Sequence, residues 1–401
     1  MTSTNGPKVL IRTLALDSGN YGGVLQAYAL QQALISIGLN PATDITVPGY
    51  RRAADKASEW LVQRLPAWMF GAPQANDLSN FVTTKLCSDE LFQFVDDHIA
   101  TVELYRMPCG IDRAVLEAFD RFVVGSDQVW RPSYGDVKSY LFDFVDDPHA
   151  RVISYAASFG TSDFNWFSRR RLAGLKPLAE RFVAVSVRER DAVTLCANYW
   201  GVDAQHHVDP TMLLPVEHYA RLAADATSLQ PQCLSYILDE SPANQSLTDR
   251  ACTALGMTET PIVRKPPNYA AWKEQPAHFR RHGVPVWLRA FAEAEFIVTD
   301  SYHGTVFAIL QNKPFICISN TKRGASRMQS LLATFGLSER LYTSEMDDCT
   351  HIIDHHIDWD VVNIEIAARR KAGMAYLTAA LVDEQQPNPA LTSGCLRADD
   401  A

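Results

Sequence analysis

Short apolar runs keep returning along this chain, each followed by a polar, glycine-bearing turn and then a helical stretch. That alternation constrains the fold more than any other feature. Strands buried on both faces read as unbroken apolar runs, and repeated strand–turn–helix units build parallel sheets covered by helices. The first unit is the clearest. VLIRTLAL at 9–16 reads as a strand, Asp17 to Gly23 as a turn, and VLQAYALQQALISIG as a helix. In that helix Val24, Leu25, Tyr28, Leu30, Leu34 and Ile37 recur at mixed helical spacing, and Gly38 is a stop signal.

The unit repeats. Strands are expected at 121–125 and 151–157, a helix at 166–181, a strand at 182–188 and a helix from Arg190. Residues 205–215 read as a short strand and a connector. A second alternation starts at 233–240, with strands near 261–265, 295–299 and 314–319 and helices at 305–311, near 325–335 and at 358–383. The expected fold class is α/β, two Rossmann-like domains facing a cleft. The N-terminal domain covers 1–215 and carries a helical insertion at about 51–115, with helical character at 55–65 and 88–98. The C-terminal domain covers 216–345. A helical segment, 346–385, is placed to pack back on the N-terminal domain, and 386–401 reads as a disordered tail. Ligands of open α/β sheets bind at the carboxyl ends of strands, so residues just after predicted strands are the ones to examine.

Composition narrows the class. The chain has 401 residues, 47% hydrophobic and 21% charged, which excludes a disordered chain, a collagen and a coiled coil. Its net charge of −9 argues against nucleic-acid partners, but a local group of cations can still hold a small anion. The eight cysteines show no close metal-binding spacing and fit a reducing compartment. No signal-peptide pattern is seen, and no run approaches the ~20 apolar residues of a membrane span. The expectation is a soluble cytoplasmic protein, with peripheral membrane contact left open.

Six motifs concentrate polar groups. Asn20-Tyr21-Gly22-Gly23 opens the first helix: its glycines admit a ligand to the backbone, or serve only the turn. Ser126-Asp127-Gln128 with Trp130 follows the strand at 121–125 and suits a sugar, amide and carboxylate for hydroxyls and indole for a ring face. The plainer reading is an Asp127 helix cap and a core Trp130. Arg188, in Ser186-Val187-Arg188-Glu189-Arg190-Asp191, presents a fork suited to phosphate or carboxylate. Ser301-Tyr302-His303-Gly304-Thr305 places a histidine where cleft residues emerge, at a helix start that favours an anion. Lys322, Arg323 and Arg327 form the basic spot of an acidic chain, or a solvated loop. His351 and His355 have the i, i+4 spacing of metal ligands without an HExxH pattern, and no metal site is expected. The pair His206-His207 before Asp209 is equally ambiguous.

In order, NYGGVLQAYALQQAL, FVVGSDQVWRP, ISYAASFG, VSVRERD, VDPTMLL, YILDE, VTDSYHGTVFAILQNKPF and SRMQSLLATFGLSERL resemble the polysaccharide pyruvyl transferase family, from about residue 9 to about residue 342. The resemblance implies a fold like that of GT-B glycosyltransferases. It implies phosphoenolpyruvate as co-substrate, no other cofactor and no metal. A hydroxyl pair on a glycan or lipid-linked saccharide would accept the group, giving a pyruvate ketal and phosphate. His303 matches the family's histidine and is the expected acid/base. Donor binding is expected from Arg188, Ser301, Tyr302, Gly304, Thr305, Lys322, Arg323 and Arg327. Acceptor binding is expected from Asn20, Tyr21, Gly22, Gly23, Gln26, Ser126, Asp127, Gln128 and Trp130. Better-studied members carry an arginine two residues before the histidine, where this chain has Ser301: either another cation, such as Arg327, takes over, or the donor differs. Two alternatives stand beside this reading, a nucleotide-sugar glycosyltransferase on the same architecture and a glycan-binding member without catalysis. Acceptor identity and oligomeric state are left open.

Overall fold

β1 (Lys8–Arg12) buries Val9, Leu10 and Ile11 completely, as its apolar run demands. It ends at Arg12, whose guanidinium pairs with the buried Asp44 and lies 5.0 Å and 5.2 Å from the Tyr105 and Tyr140 ring centres. A computed structural model describes residues 6–46, 86–106, 110–162, 169–320, 324–346 and 348–382.

In the N-terminal half β1 pairs in parallel with β2 (Asn40–Asp44) on one side and β4 (Arg121–Val124) on the other. β3 (Thr101–Val102) lies outside β2 and β5 (Arg151–Ser154) outside β4, giving the order β3-β2-β1-β4-β5. The parallel pair β6 (Val185–Val187) and β7 (Ala204–His206) continues beyond β5 through bridges Ile153–Ala184 and Ala157–Val187. This is the Rossmann strand order. The C-terminal half has β8 (Cys233–Tyr236), β9 (Glu259–Pro261), β10 (Phe296–Thr299), β11 (Phe315–Ile318) and β12 (Leu341–Tyr342), all parallel, in the order β9-β8-β10-β11-β12. Strand order reverses at β1/β4 in one half and β8/β10 in the other, and crevices form at such points. The fold class is therefore the one read from the sequence, two Rossmann-like halves facing each other.

Three departures have local causes. β2 begins Asn40-Pro41, types that strands disfavour, yet it is paired on both sides by β1 and β3. The polar helix Pro242–Leu255 was not expected, although Ser241 caps it and Gly256 closes it in the left-handed region at φ +66°. Residues 89–102 fall within the span read as a helical insertion, and there the helix expected at 88–98 is present but is followed by a sheet strand that the reading did not include. Asp89–His98 forms a helix that buries Leu91, Phe94 and Val95 in the core, and Thr101–Val102 is the edge strand. The helical reading at 55–65 and the tail at 386–401 lie outside the described residues.

Two helices sit at the centre. α1 (Tyr21–Ser36) buries all of Tyr21 to Gln31 with Ala33 and Leu34, and α7 (Tyr302–Leu310) is buried at every position. Helices apolar on all sides are buried on all sides. One core joins the halves, with Tyr21, Val24 and Leu25 in the same cluster as Tyr236, Trp287 and Phe307. The last helix, α9 (Trp359–Leu381), returns to the first half. Its Tyr376, Leu377 and Leu381 pack with Leu30, Leu34 and Val123, and Arg370 donates to the carbonyls of Met212 (3.1 Å) and Leu214 (3.0 Å). Cys87, Cys196, Cys233, Cys252, Cys317 and Cys349 are free, buried thiols. No helix of the described residues is long and apolar enough to cross a membrane.

Candidate active site

Two strand–turn–helix units meet head to head between the halves. α1 starts after Asn20, whose side-chain oxygen accepts from the Gly22 amide at 3.1 Å. α7 starts after Ser301, whose hydroxyl accepts from the Gly304 amide at 3.3 Å. Both are residue types that satisfy helix-start amides. Gly22 leaves the room in which His303 sits, because a Cβ there would overlap the imidazole ring. Gly304 lets α7 lie against its own sheet, where a Cβ would overlap Thr299 and crowd Tyr236.

His303 is only 5% exposed, and its Nε2 faces Asp209 Oδ2 at 3.4 Å. Asp209, at the turn after β7, is completely buried. Its Oδ1 accepts from the Thr211 amide (3.0 Å) and hydroxyl (2.8 Å), and its Oδ2 accepts from Ser126 Oγ (2.8 Å) and Arg188 Nη1 (2.9 Å). Burial alone would raise this carboxyl. His303, then Arg188 and the Thr211 amide, outweigh it and hold Asp209 well below the usual carboxylate range. A carboxylate fixed on so many sides fixes the face of the imidazole opposite it.

Arg188, directly after β6, also reaches Ser126 Oγ at 3.2 Å and Asp127 Oδ1 at 3.4 Å, and its guanidinium carbon lies 4.3 Å from the Tyr302 ring centre. It is thus engaged by two carboxylates. Asp127 sits at φ +78°, a left-handed conformation that costs a non-glycine residue on the order of 1–3 kcal/mol and clusters at functional sites. Burial raises Asp127, but Arg188, His303, Arg327 and the Gln128 amide together lower it. Arg327 enters from α8 (Ala325–Thr334), with its Nη1 4.0 Å from Asp127 Oδ1 and its guanidinium carbon 5.6 Å from the Tyr302 ring centre. Burial and the neighbouring Arg188 lower its pKa to about 10. Burial raises the Tyr302 phenol. Glu189 occupies the position before the helix Arg190–Leu195 but makes no cap bond. Its side chain turns inward, where Oε1 accepts from the Ser158 hydroxyl.

The structure therefore brings together His303, Arg188, Arg327, Tyr302, Ser126 and Asp127, with Asp209, Glu189 and Ser158, which the sequence did not single out. Other expected residues do other things. Trp130 packs against Phe159, Trp200 and Phe182 at 1% exposure, so its ring offers no face to a sugar. Tyr21 is fully buried, stacked on Trp287 at 5.4 Å and bonded to the His282 carbonyl, which makes it a joint between the halves. Gln26 donates to Thr13 Oγ1 and the Gly23 carbonyl, and Gln128 accepts from Arg131. Thr305 donates to the Ser301 carbonyl within its own helix. Gly23 has open ordinary contacts only. Lys322 and Arg323 lie outside the described residues. His206 and His207 bond to the Arg188 carbonyl and Ser186 Oγ, and burial lowers both to about 4. His355 lies beyond the short helix Thr350–Asp354, so it does not share a helix face with His351.

Asp209 and Glu189 were visible only as an acid before proline and an acid in a charged run. Position after a strand was their one available signal.

Three solved structures illustrate what this chain is similar to. UDP-GlcNAc 2-epimerase from Neisseria meningitidis, bound to UDP-GlcNAc, is 11% identical over 94% of this chain and 99% of that one, with a TM-score of 0.46. The S. aureus MnaA–UDP co-structure is 10% identical over 95% and 99%, with a TM-score of 0.49. The spinosyn rhamnosyltransferase SpnG is 15% identical over 93% and 99%, with a TM-score of 0.44. No curated protein matches the chain significantly. A family model matches residues 20–322, a span that runs from the cap of α1 through β11 and takes in His303, Asp209 and Arg188, and by that match the chain belongs to the polysaccharide pyruvyl transferase family of enzymes.

Proposed function

We propose that this transferase moves the pyruvyl group of phosphoenolpyruvate onto a hydroxyl pair of a glycan or glycan precursor, forming a pyruvate ketal and releasing phosphate. The observation that carries the reading is the His303–Asp209 pair, buried where the starts of α1 and α7 meet. An imidazole braced by an ionised carboxylate is suited to take the proton of an attacking hydroxyl. The donor carries phosphate and carboxylate, and the start of α7 favours an anion. Arg327, beside Tyr302, supports the view that it supplies the cation Ser301 cannot. Ser301 itself holds the helix start. Arg188 acts mainly to keep Asp209 and Asp127 charged and in place.

The reaction sheds two hydroxyl protons. One is matched by the proton gained at the donor's methylene carbon and the other leaves with phosphate, so no oxidant or reductant is needed. The test is a ligand comparison. Phosphoenolpyruvate at 100 times its Kd is expected to stabilise the protein by about 2.7 kcal/mol, and acceptor is expected to release phosphate. Stabilisation by nucleotide sugars with none by phosphoenolpyruvate defeats the reading and favours a glycosyltransferase.

A further inference from the structure

The buried cluster holds three carboxylates, and they are not treated alike. Asp127 and Asp209 each face guanidinium nitrogen within 4.0 Å. Glu189, next in sequence to Arg188, forms no ion pair within that distance among the described residues. Its Oε1 accepts the Ser158 hydroxyl, and its Oε2 is buried without a hydrogen-bond partner. At 1% exposure this is an unusual place for a carboxylate, since an unpaired buried charge is expensive and a neutral acid is not. The position is not one that slack in the chain would produce. Glu189 stands where a helix cap would be useful and forgoes the cap. Ser158, its partner, is fully buried, donates its own amide to the Asp127 carbonyl at 3.0 Å, and accepts from the Gly160 amide at 3.0 Å. The Glu189–Ser158 pair is therefore built into the same wall as Asp127 and Arg188. The opposite wall approaches here too, because a Cβ on Gly324 of the C-terminal half would overlap the Gly160 carbonyl.

We propose that Glu189 is a second proton-carrying group of this site, resting as a neutral carboxylic acid and giving its proton to the substrate carbon that becomes the methyl group. The proposal rests on the pyruvyl-transfer reading and divides its proton work. The carboxyl proton of Glu189 moves to the methylene carbon of phosphoenolpyruvate as the C=C electron pair forms the new C–H bond. A hydroxyl oxygen of the acceptor bonds to the adjacent carbon, and its proton goes to His303. When the second hydroxyl displaces phosphate, one of the two hydroxyl protons restores Glu189 and the other departs with phosphate. Burial pushing the Glu189 carboxyl upward, while its two neighbours are held down, agrees with this division. Carboxyls driven apart in one site commonly take opposite acid and base roles.

Glu189→Gln keeps the side chain's volume and its bond to Ser158 but has no acidic proton. Phosphate release is expected to fall by about 10²-fold or more with KM changed little. Infrared spectra of the wild type at neutral pH are expected to show a protonated-carboxyl C=O band that Glu189→Gln removes. Retention of activity within a few-fold of wild type overturns the assignment, as does absence of the band. If wild-type protein consumes no phosphoenolpyruvate, the reaction proposed above is lost, and the band alone then decides whether Glu189 holds its proton. Should Glu189→Gln fail to fold, Ser158→Ala is read instead. It shifts the band if Glu189 is the protonated group, and an unshifted band overturns the proposal.

Discussion

The starts of α1 and α7 are built alike and used differently. Each has a capping side chain, Asn20 or Ser301, then a tyrosine that reaches into the opposite half, then a glycine that permits close approach. Tyr21 crosses into an apolar setting, between Trp287 and Tyr236. Tyr302 crosses into a charged one, beside Arg188, with Arg327 of its own half also near the ring. The same local solution thus serves as a weld on one side and as the floor of a reactive pocket on the other. What differs is the surroundings, not the turn. Tyr21 meets helix Val284–Glu293 and its aromatics, while Tyr302 meets Arg188 at the carboxyl end of β6, the residue on which Asp127 and Asp209 converge.

If that contrast holds, Tyr21→Ala acts on stability and Tyr302→Ala on activity. Tyr21→Ala is expected to cost about 3–5 kcal/mol, as for other buried aromatics, read by denaturant unfolding. A loss below about 1 kcal/mol would mean the joint is not a weld. Gly22→Ala sharpens the charged side. The added methyl displaces His303, so kcat is expected to fall by about 10²-fold, the scale of a misplaced catalytic group. Gly23→Ala, one residue on, meets only ordinary contacts and is expected to leave kcat within a few-fold, so equal effects at the two positions would contradict the geometry.

Acid sensitivity separates the sides further. Asp209 titrates lower folded than unfolded, so its contribution is present above the unfolded value of about 4 and disappears as pH falls through the folded value. Asp209→Asn is expected to be less stable than wild type at neutral pH and to lose part of the decline in stability below about pH 4. Parallel pH–stability curves for the two proteins would rule this out. The smallest effects are expected at the caps, where Asn20→Ala and Ser301→Ala each cost about 1 kcal/mol of stability. Ser301→Ala retains most activity if its role is the helix start, and a loss of donor affinity without a loss of stability would instead make it a ligand.

Much of this fold is written in the order of apolar runs and turns. Lys8–Arg12, Arg121–Val124 and Phe296–Thr299 all fall inside runs that could hardly be anything else. Asn40–Asp44 is not legible in that way, because neighbours on both sides overrule its residue types. The turn that carries His303 is legible because a strand end tells where a side chain emerges. Trp130 emerges beside such an end as well, and residue type could not tell that its ring turns into the core. Asp209 and Glu189 illustrate the converse: an acid after a strand looks like a cap or a surface charge until burial is known.

The return of α9 to the first half has a consequence for synthesis. Domains ordinarily fold from the N-terminus as the chain emerges. Here the core around Leu30, Leu34 and Val123 stays uncovered until Leu377 and Leu381 have been made. The first half is thus the last to be finished, and a nascent or C-terminally shortened chain exposes a greasy groove that holdase chaperones would recognise. Completion of the chain, rather than completion of either half, is the event that makes the enzyme.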